Sequence, residues 1–99
     1  QYGGEIPETH GVPIEQIQQG IKHGVRKVNV DTDLRLASTG AIRRHLAENP
    51  SNFDPRAYFK AASDAMQAIC AERYNAFGSA GHADKIRPLS LEAMVSFYS

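Results

Sequence analysis

The chain has 99 residues, 41% of them hydrophobic and 22% charged, the proportions of one small soluble domain. Eleven basic and eleven acidic side chains cancel, so nothing in the charge calls for a nucleic-acid or acidic-membrane partner. No apolar run approaches the length of a membrane-spanning helix, no signal peptide opens the chain, and the single cysteine, Cys70, excludes an internal disulfide and points to a reducing cytoplasm.

Residues 1–12 are Gly-rich and polar, contain Pro7, and read as a loop. A first helix is predicted from Pro13 to about His23. Proline suits a helix start, Ile14, Ile17 and Ile21 fall on one face, and Gly24 offers a left-handed stop. A strand follows at about Val25–Val30, where valines alternate with polar residues. Thr32 or Asp33 can cap the next helix, which carries Leu34, Ala37, Ala41, Ile42 and Leu46 and ends before Asn49-Pro50. Asp54-Pro55 opens a third helix, running through Ala61, Ala62, Ala65, Met66 and Ile69 to about Phe77. Gly78 to Ala83 reads as a linker, and a short amphipathic helix is predicted from Ser90 to Tyr98.

About four helices and one clear strand do not make a sheet. A lone strand leaves its N–H and C=O groups unpaired, which is costly to bury. The order helix, strand, polar tip, helix is one turn of an α/β protein, so the partner strands are expected upstream of Gln1. A start at Gln-Tyr-Gly-Gly fits a fragment or a cleaved chain, with nicking of an exposed Gly-rich loop as its simplest origin.

The polar tip is K-V-N-V-D-T-D-L-R, residues 27–35. In parallel α/β architectures ligands sit at the carboxyl ends of strands. Here a helix starts at once, and its first N–H groups favour an anion such as phosphate. Thr32 adds a hydroxyl and Arg35 a guanidinium suited to phosphate. Asn29 and Asp31 project together and can hold hydroxyl groups. Together these groups suit a sugar phosphate. A plainer account makes Asp33 a helix cap and Asp31 a solvated loop residue, and the pattern by itself favours that account.

The run G-G-E-I-P-E-T-H-G-V-P-I-E-Q-I-Q-Q-G-I-K-H-G-V-R-K-V-N-V-D-T-D-L-R resembles the C-terminal part of class II fructose-1,6-bisphosphate aldolases, most closely the bacterial type that includes Calvin-cycle enzymes. The similarity continues through L-R-L-A-S-T-G-A-I-R-R-H-L, F-D-P-R and I-C-A-E-R-Y-N-A-F-G to P-L-S-L-E-A-M. N-V-D-T-D-L-R is its specific part. The resemblance implies an α/β fold, a C-terminal fragment of a (β/α)8 barrel that needs the missing N-terminal part. Residues 1–49 would be the last helix-strand-helix portion and 50–99 a C-terminal helical extension of the same domain.

The resemblance further implies reversible cleavage of fructose 1,6-bisphosphate to dihydroxyacetone phosphate and glyceraldehyde 3-phosphate, in glycolysis or the Calvin cycle. A divalent metal, usually zinc, would polarise the ketone and stabilise the enediolate. Asn29 would contact the enediolate, while Asp31 and Thr32 bind the same half of the substrate, Thr32 at its phosphate. Arg35 would take the 6-phosphate. Arg56 is assigned to a neighbouring subunit's phosphate site, with a solvated first-turn arginine as the competing reading.

The family's metal ligands and acid/base residue belong upstream, so no catalytic or metal-binding residue is expected in this segment. His10, His23, His45 and His82 lack ligand spacing and read as surface or packing residues. Lys27 matches the family too, and a salt bridge in the barrel interior accounts for it better than Schiff-base chemistry. The expected partners are the N-terminal portion, a sugar bisphosphate and further copies in a homodimer or larger assembly. The alternative is a non-catalytic phosphate-binding or interaction module.

Overall fold

The computed structural model describes residues 2–7 and 11–99, so the reading of His10 lies outside the described residues. Among the described residues four α-helices follow in order: α1 (Ile14–Lys22), α2 (Thr32–Glu48), α3 (Pro55–Phe77) and α4 (Leu91–Tyr98), with a 3-10 turn at Ala83–Lys85 in the stretch before α4.

The ends of these helices follow local chemistry. The Pro13 carbonyl accepts the N–H groups of Gln16 (3.1 Å) and Ile17 (3.2 Å), so proline stands one residue before α1 rather than as its first residue. α1 stops at Gly24, whose φ of 109° is open to glycine and strained for other residues. The N–H of Gly24 returns to the Ile21 carbonyl and that of Val25 to the Gly20 carbonyl, the paired bonds of a Schellman stop. α3 repeats the device at Gly78 (φ 76°), with the Ser79 N–H on the Tyr74 carbonyl at 2.9 Å. Its start is capped by Asp54, which accepts the Arg56 N–H at 3.0 Å, with Pro55 in the first turn. At α4 the Ser90 hydroxyl accepts the Ala93 N–H at 3.2 Å.

The strand expected at Val25–Val30 is not formed. Among the described residues no segment pairs with it in a ladder, and the stretch is irregular backbone. This corrects the strand while keeping the reason given for it: alternation prepares a segment for a sheet, and partner strands complete one. Half-buried Val28 and Val30 still alternate with exposed Asn29 and Asp31. Two hollows flank the segment. One of about 440 Å³ lies toward α1, and one of about 410 Å³ lies toward Leu34 and the inner face of α3.

Packing is concentrated between α2 and α3, with a lesser contact of α1 on α3. It is thin: among the described residues only Ala62 is fully buried. The radius of gyration is 18.3 Å, against about 13 Å for a compact domain of this length. The accessible surface is 8279 Å², against roughly 5,600 Å² for a folded monomer of this mass. Apolar side chains such as Phe53, Ile86, Leu91 and Phe97 stand mostly in solvent. No helix among the described residues is long and apolar enough to cross a membrane.

Candidate functional site

The Gly24 stop sets the direction of the polar segment. Arg26 strengthens it by donating to the carbonyls of Ile21 (3.0 Å) and Val25 (2.9 Å), so the end of α1 is closed by backbone and side chain together. The segment then runs to Asp31, the residue before α2. Asn29, Asp31, Thr32 and Asp33 all line the 440 Å³ hollow, with Ile17 and Gly20 of α1 and Arg73 of α3 opposite. Of the residues read from sequence as a cluster, Asn29, Asp31 and Thr32 are therefore brought together, whereas Arg35 does not line this hollow.

α2 opens without a side-chain cap. The first bond back to the flanking chain is the Arg35 N–H on the Asp31 carbonyl at 3.1 Å. Among the described residues the N–H groups of Thr32, Asp33 and Leu34 have no acceptor, and the Thr32 side chain makes no hydrogen bond. Thr32 and Asp33 line the hollow and Leu34 does not, and unpaired donors at a helix N-terminus carry the positive end of the helix dipole. The cap position is Asp31, one residue before Thr32 and two before Asp33, the caps expected from sequence, and its carboxylate is turned elsewhere.

That carboxylate accepts from Arg35 Nε at 2.9 Å, with both side chains largely in solvent (78% and 69% exposed). Asp31 and Arg35 are one helical turn apart, and such exposed pairs are weak. Arg35 can leave Asp31 for a better anion at little cost. Lys27 Nζ donates to Asn29 Oδ1, which leaves the Asn29 amide nitrogen as a donor for a ligand oxygen. The salt bridge expected of Lys27 is thus replaced by a hydrogen bond to an amide.

Arg56 is not part of this cluster. It stands at the start of α3, 91% exposed, and its guanidinium grips Asp54 with three contacts between 2.7 and 3.1 Å. The side-chain hydrogen bond from Arg56, followed by its backbone N–H, holds the Asp54 carboxyl below the usual range, and the same pairing raises Arg56.

Sequence reasoning passed over Arg73. Its Nη2 donates to Asp33 Oδ2 at 3.0 Å across 40 residues, and its Nη1 to Glu72 Oε1 at 2.8 Å. Arg73 is only 16% exposed. The hydrogen bond it donates to Asp33 is the main reason its pKa lies above the ordinary arginine value. A signal was present: Ala62, Met66, Ile69, Arg73 and Phe77 form one face of α3 at helical spacing, and a charge inside an apolar stripe needs a partner.

No group of three or more His, Cys, Asp or Glu among the described residues could hold a metal ion. His23 and His82 are exposed, and His45 is half-buried with its Nε2 enclosed and unpaired.

Comparison with known proteins gives one answer. The family described as Fructose-bisphosphate aldolase class-II matches residues 8–82. The chain is 67% identical over 99 residues to the fructose-bisphosphate aldolase of Pseudomonas aeruginosa. It is 59% identical over 99 residues to that of a Nostoc species and 52% identical over 99 residues to the fructose-bisphosphate aldolase class 2 of a Synechocystis species. All of this chain is covered in each case, and it spans 28% of the length of each relative.

Proposed function

The chain belongs to the class-II fructose-bisphosphate aldolase family, and from that premise we propose that it is the C-terminal part of an enzyme that reversibly cleaves fructose 1,6-bisphosphate to dihydroxyacetone phosphate and glyceraldehyde 3-phosphate. The complete fold on this reading is a (β/α)8 barrel. Residues 1–49 close it and residues 50–99 extend it, and Val25–Val30 becomes a strand once a neighbouring strand lies beside it. The partners are the N-terminal portion of the same enzyme and further copies in a homodimer or larger assembly in the cytoplasm.

The observation that carries the reading is the meeting of Asn29, Asp31 and Thr32 in one hollow at the uncapped start of α2, in a segment inside the matched stretch. The Asn29 amide donates to an oxygen of the enediolate, and Asp31 accepts from a substrate hydroxyl. Thr32 and the first N–H groups of α2 hold the phosphate of that half. Arg35 takes the 6-phosphate, giving up its exposed pair with Asp31, and Arg56 reaches the phosphate site of a neighbouring subunit.

The divalent metal, zinc on this reading, is assigned to ligands outside these 99 residues, as is the acid/base group. The described residues offer no cluster that fits it. On this reading the chain alone is inactive.

The test uses the complete enzyme and this chain side by side, with fructose 1,6-bisphosphate cleavage followed by coupled assay. Activity is expected in the complete enzyme only, lost on chelation and restored by zinc, and unaffected by borohydride added with substrate. Inactivation by borohydride would assign the chemistry to a lysine Schiff base. Cleavage by the 99 residues alone would overturn the division of the molecule proposed here.

A further inference from the structure

We propose that Arg73 is a positioning residue for the substrate-binding turn: through Asp33 it holds the first turn of α2, and with it Asn29, Asp31 and Thr32, in the arrangement that receives the sugar phosphate. The proposal rests on the aldolase reading and adds to it a residue that does not itself touch substrate.

Three observations support it. First, Asp33 lies on the first turn of α2, directly after Asp31 and Thr32, and Arg73 reaches it from α3 with a 3.0 Å ion pair. Of the ion pairs among the described residues it is the one that spans distant parts of the chain, while the others join residues four or fewer apart. Secondly, the pair is shielded. Arg73 is mostly buried, and Gly11 crowds the far side of the carboxylate: a Cβ added there would stand 3.0 Å from Asp33 Oδ1. Thirdly, both residues line the same hollow as Asn29, Asp31 and Thr32, so a movement of the pair is a movement of the site wall.

The segment needs such a tether. α2 begins without a side-chain cap, and among the described residues the only other side-chain hydrogen bonds of residues 27–35 are the exposed ones of Lys27 with Asn29 and Arg35 with Asp31. Charge supplies a second reason. Asp33 sits beside the N–H groups assigned to a phosphate, and an unneutralised carboxylate there repels that phosphate. Arg73 answers both needs, since its fork fixes the carboxylate and offsets its charge.

A turn held less firmly is competent to bind for a smaller fraction of the time. Apparent affinity then falls by that fraction, while the bound complex reacts as before. In the complete enzyme, Arg73→Met is therefore expected to raise KM for fructose 1,6-bisphosphate about tenfold with kcat within about twofold. A merely structural loss would lower the concentration of active enzyme, reducing apparent kcat at unchanged KM, and that result would overturn the proposal. Arg73→Lys keeps the charge and loses the fork, and it is expected to recover part of the KM change.

A double-mutant cycle supplies the decisive arm. Asp33→Asn should give a KM rise of its own, and Arg73→Met added to it should do nothing further. Additive effects would mean that Arg73 contacts the substrate directly, and would overturn the positioning role. Should Arg73→Met fail to fold, a cycle of Arg73→Lys with Asp33→Asn measures the same coupling, with the same two outcomes. Failure of the aldolase reading is seen separately, as absence of fructose 1,6-bisphosphate cleavage by the unaltered complete enzyme.

Discussion

Two ion pairs start within the same turn of chain and differ in nearly every physical respect. Asp31 pairs with Arg35 along the outer face of α2, one helical turn away and in solvent. Asp33, two residues on, pairs with Arg73 of a different helix across 40 residues, with the guanidinium mostly buried. The outer pair forms as soon as the helix forms and is screened by water and salt. The inner pair exists only when α3 packs on α2, and removing one partner leaves a half-buried charge. The outer pair suits an arginine that must be released to a ligand, and the inner pair suits one that must stay. On the proposed reading, two residues of separation in sequence divide what binds from what holds.

The sharpest way to break that comparison is to remove an outer-face group and ask whether binding fails without loss of structure. A desolvated arginine–phosphate bond is charge-assisted, and losing a charged hydrogen bond costs roughly 1.5–3 kcal/mol. Arg35→Ala in the complete enzyme is accordingly expected to lower kcat/KM for fructose 1,6-bisphosphate by about one to two powers of ten. Thermal stability should change little, because Arg35 gives up only an exposed pair. Proton exchange on dihydroxyacetone phosphate needs no 6-phosphate and should be nearly spared, whereas Asn29→Ala should damage exchange and cleavage alike. Equal damage to exchange by both variants would erase the proposed difference between the two ends of the turn.

Much of this organisation was legible from sequence, and the failures have a common cause. The four helices announce themselves through local signals: Ile14, Ile17 and Ile21 on one face, Asp54-Pro55 at a start, Gly24 and Gly78 at stops. That Asn29, Asp31 and Thr32 share one hollow was legible for the same reason, since they lie within four residues of one another. Whatever depends on distant chain was not. Val25–Val30 has the alternation of a strand, but a strand is completed by partners that these residues do not contain. Arg73 was missed because its partner lies 40 residues away, and only its place in the apolar stripe of α3 hinted at a buried contact. Asp31 as the residue before α2, in place of Thr32 or Asp33, is a boundary error of one or two residues, of the kind to which helix ends are prone.

A smaller effect is expected where the turn is entered. Gly24 has φ 109° with nothing within 4 Å of where a Cβ would stand, so a substitution there meets strain and no clash. Gly24→Ala should destabilise the complete enzyme by about 1–2 kcal/mol, read from the denaturant midpoint. Gly24→Asn should cost less, because asparagine tolerates positive φ. If the entry to the turn matters only for stability, neither variant changes KM. A KM rise resembling that of Arg73→Met would show that the backbone at α1's end shares the holding function assigned to the inner pair.

The smallest effect belongs to another carboxylate–arginine pair, Asp54 with Arg56, which sharpens the comparison because it is local and exposed like the outer pair yet caps a helix. Arg56 is 91% exposed, and its side-chain hydrogen bond holds the Asp54 carboxyl below its ordinary range. A carboxyl depressed on folding contributes stability that is fully present above its unfolded pKa, about 3.9 for aspartate. That contribution is lost as pH falls through the lower folded value. Asp54→Asn removes the charge and keeps an oxygen for the Arg56 N–H, since asparagine caps helices about as well as aspartate. The variant of the complete enzyme should therefore melt lower than the original at pH 7, by no more than about 2 °C given the exposure of the pair. The two melting curves should converge as the carboxyl is protonated below pH 4. A gap that persists at low pH would trace the effect to cap geometry and not to charge. A gap larger than that of Gly24→Ala would mean that Arg56 is desolvated in the assembled enzyme, as its assignment to a neighbouring subunit's phosphate site requires.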